Sequence, residues 1–281
     1  MPQISIIVAT YNDPQALALI LQALQRQTTQ PHEIVFADDG SSAETGELIS
    51  IFGKKSKIPL RHIWHEDKSH RKGIIVDKAV AAAKGDYLMF LDGDSIPHAK
   101  WVADHLYMAQ PGRVLCGRRV RLGPMITQRI RKGEIEVESL QSFPWTLLRS
   151  AIQGDSKRYL LGLRWPAVLS RLRYHAEKRL MGVNYSLYRA DFEKAGGHGE
   201  WDQRREDAEL EIRLLEAGMY RYPLIHRGIV YHLYHPAVRK NYTLDQALVK
   251  RYKQALKVRE RRVREAFIIE NKGLRCRGTD E

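Results

Sequence analysis

Short apolar runs alternate with amphipathic stretches through the first third of the chain. Ile4 to Val8 predicts a strand that ends in Ala9-Thr10-Tyr11-Asn12. Asn12 or Asp13 can cap a following helix, with Pro14 in its first turn, where a missing N–H costs little. Leu17, Ile20, Leu21 and Leu24 then recur at helical spacing. Glu33 to Ala37 predicts a second strand running into Asp38-Asp39-Gly40-Ser41. Ser41 and Glu44 fit a capping box for a helix with Leu48, Ile49 and Phe52 on its apolar side. A third strand is predicted over Leu60 to His65, then a helix from about Ile74 to Lys84 with Val76, Ala79, Val80 and Ala83 inward. Tyr87 to Leu91, set between Gly85 and Gly93, predicts a fourth strand.

This alternation predicts an α/β fold, a mostly parallel sheet flanked by helices on both faces. In such sheets ligands bind beyond the carboxyl ends of the strands. Thr10-Tyr11-Asn12, Asp38-Asp39 and Asp92-Gly93-Asp94 all fall there. Asp92 and Asp94 are two apart in an extended segment, so they can face one side. Two converging carboxylates need a cation, and hard oxygen ligands suit Mn²⁺ or Mg²⁺. Alone, Asp-Gly-Asp reads as well as a solvated turn; three polar clusters on one rim favour a site. No G-x-G-x-x-G follows the first strand and no P-loop motif occurs, so neither a dinucleotide nor a P-loop site is supported.

Composition adds the question of a partner. The 281 residues suffice for a sizeable core, and the formal net charge is +13. Phosphorylated substrates, anionic lipid headgroups and nucleic acid would all answer that charge. The excess is concentrated in Arg118 to Arg179 and Arg239 to Arg277. Cys116 and Cys276 are far apart and suggest no disulfide framework. No window approaches the roughly 18 to 20 apolar residues of a membrane span. The first residues lack the basic and apolar pattern of a signal peptide, so a cytoplasmic location is expected.

Several ordered motifs carry a resemblance. Ser5-Ile6-Ile7-Val8-Ala9-Thr10-Tyr11-Asn12, Asp38-Asp39-Gly40-Ser41, Ala83-Lys84-Gly85-Asp86-Tyr87-Leu88 and Phe90-Leu91-Asp92-Gly93-Asp94 together resemble glycosyltransferase family 2. The likeness is close over about the first 120 residues and resumes from about Met181 to Pro236. It implies a GT-A fold with a Rossmann-like nucleotide-binding half, and an inverting enzyme that uses a nucleotide sugar. By that resemblance Thr10, Tyr11, Asn12, Asp39, Asp92 and Gly93 would hold the nucleotide sugar, with Tyr11 flanking the base and Asp39 on the uracil edge. Asp94, with Asp92, would bind the metal on the diphosphate. Arg71 and Lys72 fall where relatives carry basic residues near the diphosphate. Asp77-Lys78-Ala79 replaces the family's N-K-A, which leaves a donor contact at Asp77 open.

The second half reads less evenly. A helix is predicted from Pro97 to Met108 and a strand from Val114 to Gly117. Met125 to Leu180 matches no motif; its basic residues and its Phe143-Pro144-Trp145 and Trp165-Pro166 stretches fit either an irregular helical subdomain on the sheet or an acceptor-side surface near lipid. Met181 to Arg189 reads as a strand resembling the G-x-N-x-S segment of galactosyltransferase-like members, which makes Gly182 and Asn184 candidates for sugar contact. Trp201 could stack on a sugar or belong to the core. Glu206 and Asp207 open an amphipathic helix that stops at Gly218. Inverting transfer needs a base on the acceptor hydroxyl, and the family's Glu-Asp pair maps here, Asp207 as base and Glu206 as its orienting neighbour. His232 is the first histidine candidate for the metal and His235 the second, only one of them expected to point at it. Thr243 to Gln246 fits a capping box for a long basic helix with Ala247, Leu248, Tyr252, Leu256, Val263 and Phe267 along one stripe.

Residues 1–122 thus read as the nucleotide-sugar half, 123–180 as a basic helical insertion, 181–238 as the catalytic segment of the same domain, and 239–281 as a basic helix and tail. The expected activity is metal-dependent transfer from a UDP-sugar to a glycan or lipid-linked glycan, in bacterial surface polysaccharide or lipopolysaccharide synthesis, with no nucleic-acid partner. The basic helix could dock along the domain or lie on an anionic membrane, peripheral on the cytoplasmic face of the inner membrane. A sugar-nucleotide nucleotidyltransferase is the rival enzyme, although the glycine-rich basic loop expected after its first strand is missing. A basic nucleic-acid-binding protein is the remote alternative; it gives no reason for carboxylates at three strand ends.

Overall fold

The computed structural model describes residues 2–142, 144–164, 179–199, 206–236, 246–247 and 249–257. β1 (Ile4–Thr10) lies between β2 (Glu33–Asp38) and β4 (Tyr87–Asp92), parallel to both, with Ile7 opposite Val35 on one side and Phe90 on the other. β3 (Leu60–Trp64) extends the parallel set beyond β2. On the far side of β4 come β8 (Asn184–Tyr188), antiparallel, then β6 (Arg113–Cys116) and β9 (Tyr220–Pro223). The described order is β3-β2-β1-β4-β8-β6-β9. The chain leaves β1 toward β2 and returns on its other side as β4. The crevice at that reversal, beyond the carboxyl ends, is where such sheets bind ligands.

Strand alternation divides the core. Ile6, Val8, Phe36, Met89 and Leu91 pack with Leu17, Ile20, Leu21 and Leu24 of α1 (Pro14–Gln25) and Ile49 of α2 (Ala43–Lys55). Ile7, Val35, Leu88 and Phe90 face Ile75, Val76, Ala79 and Val80 of α3 (Lys72–Ala82) and Leu210 and Leu214 of α9 (Glu206–Glu216). The expected helices on both faces are present.

A second sheet lies under the rim, in the order β5 (Ser95–Pro97), β10 (Val230–His232), β7 (Arg119–Arg121). It corrects the helix expected from Pro97. Ser95–Pro97 is drawn into antiparallel pairing with β10, and α4 starts only at Trp101 and runs to Met108. The insertion carries α5 (Pro124–Arg131), α6 (Val137–Ser142), α7 (Pro144–Ile152) and a 3₁₀ turn over Tyr159–Gly162. Ile126, Ile130, Leu140 and Leu147 join the main core, so this part of it packs on the sheet. A short α8 (Arg189–Lys194) follows β8.

Two further corrections concern helix ends. Asp13 caps α1 through Ala16 N–H at 3.0 Å. Ser41 does not cap α2; its hydroxyl accepts the Asn12 N–H at 2.9 Å, and Ser42 takes the cap position without a side-chain hydrogen bond. α3 starts at Lys72, ahead of its apolar pattern, because Gly73 has no side chain to show in that pattern. A Cβ there would lie 3.2 Å from Glu206 Cβ, so glycine lets α3 approach α9. Helical residues 249–257 dock on α9: Ala255 packs with Ile212 and Leu215, and Arg251 reaches Glu209 at 2.9 Å. Phe143, Trp165, Pro166, Trp201, Thr243, Leu248, Val263 and Phe267 lie outside the described residues.

Candidate active site

The rim residues come from four strand ends and the start of α9. β4 ends at Asp92, and Gly93 then passes so close to β1 that its N–H donates to Ala9 O at 2.6 Å. A Cβ on Gly93 would stand 2.8 Å from that oxygen, so only glycine fits between the two aspartates. Asp92 and Asp94 emerge with different partners.

Asp92 Oδ1 lies 2.5 Å from Lys72 Nζ, the first residue of α3. Lys72 therefore answers carboxylates as well as standing near the expected diphosphate position. Burial lowers its ammonium, but Asp92, Asp207 and Glu206 outweigh this and hold it well above the ordinary value. The Asp207 carboxylate accepts the Gly182 N–H at 2.9 Å. A Cβ on Gly182 would sit 2.1 Å from Asp207 Oδ1, so glycine there clears the space the Asp207 carboxylate occupies. Burial raises the Asp207 carboxyl above 3.8; Lys72 opposes the shift, while Asp92 and Glu206 reinforce it. Its neighbour goes the other way. Burial would raise Glu206 too, but His70, 3.3 Å away, and Lys72 hold it at about 2. Adjacent carboxyls on one helical turn thus have opposed proton affinities.

Asp94 faces histidines. His232 Nε2 and His235 Nε2 each lie 3.5 Å from Asp94 Oδ2. Both imidazoles point at Asp94, whereas only one was expected to point at a metal there. His232 Nδ1 is 2.7 Å from Leu233 O, so that nitrogen donates and Nε2 presents its lone pair toward the carboxylate. Burial lowers the His232 pKa against the pull of Asp94, which favours the neutral ring. A bare imidazole lone pair aimed at a carboxylate oxygen is an arrangement a cation resolves. The three ligand atoms lie within 4.8 Å of one another, and this is the only such group of His, Cys, Asp and Glu among the described residues. Asp92, expected to share the metal, stands outside it because Lys72 already engages it.

The other expected residues divide between exposed ring and internal brace. Tyr11 is 52% exposed and its hydroxyl donates to Asp67 at 2.9 Å, so one ring face is open for stacking. Asp39 accepts the Arg71 N–H at 3.0 Å and pairs with His65 at 2.8 Å. Arg71's guanidinium turns to Glu66 O. Thr10 Oγ1 is buried without a hydrogen-bond partner. Asn12 clips two strand ends together, its Oδ1 accepting the Ser42 N–H at 2.9 Å. Asn184, expected near sugar, is fully buried. Its amide donates to Arg118 O and Gly228 O, and its Oδ1 lies 2.9 Å from Trp101 Nε1. It braces β8 against α4 and makes no surface for a sugar. Asp77 accepts the His198 and Gly199 N–H groups, so it pins the glycine turn before α9. His70 went unnoticed in the sequence, although it stands in the polar run just ahead of α3.

The profile of Glycosyl transferase family 2 matches residues 5–179, well over half of the chain. The chain belongs to glycosyl transferase family 2. Among curated members, it is 28% identical over 238 residues to a validoxylamine A glucosyltransferase of Streptomyces hygroscopicus subsp. limoneus, covering 78% of this chain and 49% of that protein. A hyaluronan synthase of Pasteurella multocida is 32% identical over 108 residues, 38% of this chain and 11% of that one. The family 2 chain thus spans about half or less of these relatives. A mannosyltransferase from Pyrobaculum calidifontis, solved in complex with GDP-Man and Mn²⁺, superposes with a TM-score of 0.57 at 16% identity, over 83% of this chain and 57% of that chain. S. aureus TarS superposes with a TM-score of 0.53, over 83% and 37%. These likenesses establish the GT-A fold.

Proposed function

We propose that this family 2 chain is an inverting glycosyltransferase that moves a sugar from a UDP-sugar to a hydroxyl of a glycan acceptor with help from a divalent metal. The observation that carries the reading is the pairing on one rim of a raised-pKa carboxylate, Asp207, with the Asp94–His232–His235 group. Tyr11 would flank the base and Asp39 would receive its polar edge. Asp94, His232 and His235 would hold the metal, and imidazole donors favour Mn²⁺ over Mg²⁺. When bound, such a metal supplies Lewis-acid stabilisation to the departing nucleoside diphosphate. Asp207 takes the proton from the acceptor oxygen as that oxygen attacks the anomeric carbon from the side opposite the diphosphate, inverting its configuration. The Gly182 N–H holds the base in place while the Lys72 charge moderates its proton affinity, and the low-pKa Glu206 stays ionised to accept hydrogen bonds from sugar hydroxyls.

The mannosyltransferase complexed with GDP-Man and Mn²⁺ lends support to a nucleotide sugar and a metal, and leaves the base to be tested. Relatives named hyaluronan synthase and chondroitin synthase favour a polymeric glycan acceptor, in line with surface polysaccharide or lipopolysaccharide synthesis. Trp145 and Ile152, 68% and 77% exposed, share a face of α7 with Arg149, which supports peripheral contact with an anionic membrane and a cytoplasmic-face location. The test is a panel of UDP- and GDP-sugars with and without Mn²⁺, read by thermal stabilisation and by release of nucleoside diphosphate. A UDP-sugar should stabilise the chain more with metal than without it, and release UDP only with metal. Release of pyrophosphate would indicate nucleotidyl transfer instead, and no response to any sugar would overturn the reading.

A further inference from the structure

Beside the Asp94 group stand three arginines that make no ion pair with an acid among the described residues. β7 pairs with β10 in parallel, Val120 beside Tyr231 and Arg121 beside His232. Val120 and Tyr231 lie in the core, so alternation turns Arg119, Arg121 and His232 to the opposite face together. The loop after α7 is tied to the same strand: Arg121 N–H donates to Lys157 O at 3.0 Å, and Lys157 N–H donates to Arg121 O at 2.8 Å. That bridge brings in Arg158, held in left-handed backbone at φ 60°. Burial lowers the Arg119 guanidinium, Asp92 and Asp94 raise it, and Arg121 and Arg158 lower it again, so all five charges are within electrostatic reach.

Several other described arginines hold carboxylates: Arg131 holds Asp13, Arg164 and Arg227 hold Asp104, and Arg221 holds Glu211. The Arg119, Arg121 and Arg158 side chains make no hydrogen bond or ion pair among the described residues, and Arg119 Nε is buried without a partner. Arg121 and Arg158 are exposed and Arg119 is half-buried; the orphaned Nε costs most at Arg119, three like charges repel one another, and an oxyanion answers both. The planar guanidinium fork matches the oxygens of phosphate and carboxylate alike.

We propose that Arg119, Arg121 and Arg158 form an oxyanion site on the rim next to Asp94, His232 and His235, one that takes a phosphate or carboxylate group without needing the metal. The inference deepens the proposed sugar transfer and rests on it for its biological ligand. That ligand is the donor's diphosphate or an anionic group on the acceptor, since both carry the same oxygen chemistry. The experiment titrates the full chain at low ionic strength, metal-free in chelator, with inorganic phosphate, pyrophosphate and glucuronate, then with UDP against uridine. Binding of phosphate or pyrophosphate should weaken at least about tenfold in Arg119→Ala/Arg121→Ala, while Asp94→Asn keeps it. The double variant should melt no lower than the parent, because repulsion is relieved; Arg158→Ala provides the same readout from a separate loop. If UDP loses affinity in the variants and glucuronate never binds, the site serves the donor. If glucuronate binding is lost and UDP is untouched, it serves an anionic acceptor. Absence of metal-free anion binding, or equal binding by parent and variants, overturns the site. Failure of sugar transfer alone leaves anion binding to be judged by itself.

Discussion

Asp92, the last residue of β4, and Asp94 just beyond it lead into two different electrostatic regimes. On the Asp92 side, one lysine is shared by Asp92, Glu206 and Asp207, with His70 on Glu206. Charges there are met by protein groups, and the outcome is a carboxyl pair split in proton affinity. On the Asp94 side, two imidazoles face a carboxylate, and three guanidinia make no ion pair among the described residues. The first region is already built to hold a proton acceptor. The second offers a place for a cation at Asp94 and its histidines and, beside it, a place for an anion at the arginines; a metal and a phosphorylated substrate would supply these.

The sharpest way to break this contrast is Asp207→Asn. Loss of a general base costs about 10²–10⁴-fold in rate, whereas UDP binding on the other side should remain. The measurement is single-turnover transfer beside UDP titration. Its folded pKa is raised, so its ionised form is less favourable in the fold than in the unfolded chain. Stability is therefore withdrawn as pH rises through 3.8 toward the folded value, and the Asn variant should melt no lower than the parent at neutral pH. Glu206 has the opposite sign: held at about 2, it contributes stability above 4.5 that is lost as pH falls from 4.5 toward 2. An Asn variant with parental turnover would show that the proton goes elsewhere.

Lys72→Met tests whether the closed side is one electrostatic unit. Removing a cation near a carboxylate raises the latter's pKa by about 1–3 units. The acid limb of kcat/KM against pH, which reports ionisation of the free enzyme's base, should move upward accordingly. Asp94-side properties, including Mn²⁺ affinity, should move little. An unshifted acid limb would separate Lys72 from Asp207 despite their common cavity lining with Gly182, Tyr185 and His198.

How much of this was legible in the sequence depended on whether a residue's role follows from local pattern. The strands and helices through Asp92 followed from apolar spacing, because each buries a face against a neighbour close in sequence. Asp94 and the pair Glu206-Asp207 stand out in the sequence because a motif coincides with the end of a predicted strand in one case and the start of a predicted helix in the other. Asn184 was misjudged, since a motif gives its position but not its neighbours. Its partners Trp101, Arg118 and Gly228 come from three other segments, and a fully buried amide with those contacts is a brace. Ser41 satisfied a local capping pattern, yet a tertiary donor, the Asn12 N–H, claimed its hydroxyl. Arg119 and Arg121 looked like two more cations in a basic stretch; only pairing with β10 sets them beside His232.

The finest distinction lies within the open side, between its two histidines. His232 is held by a short Nδ1 contact to Leu233 O at 2.7 Å, and its side chain is 11% exposed. His235 is 56% exposed, and its Nδ1 lies 3.2 Å from Pro236 O. A buried, oriented imidazole loses little freedom on ligation, whereas an exposed one must be ordered first and can be replaced by water. Manganese affinity, followed by the loss of the free-ion paramagnetic resonance signal, should therefore fall about 10–100-fold in His232→Ala and less, about tenfold or under, in His235→Ala. Neither change should touch the acid limb set by Asp207. Equal losses would mean that exposure does not rank these ligands, and no loss in either would remove the cation from the Asp94 side and leave its paired imidazoles to bind something else.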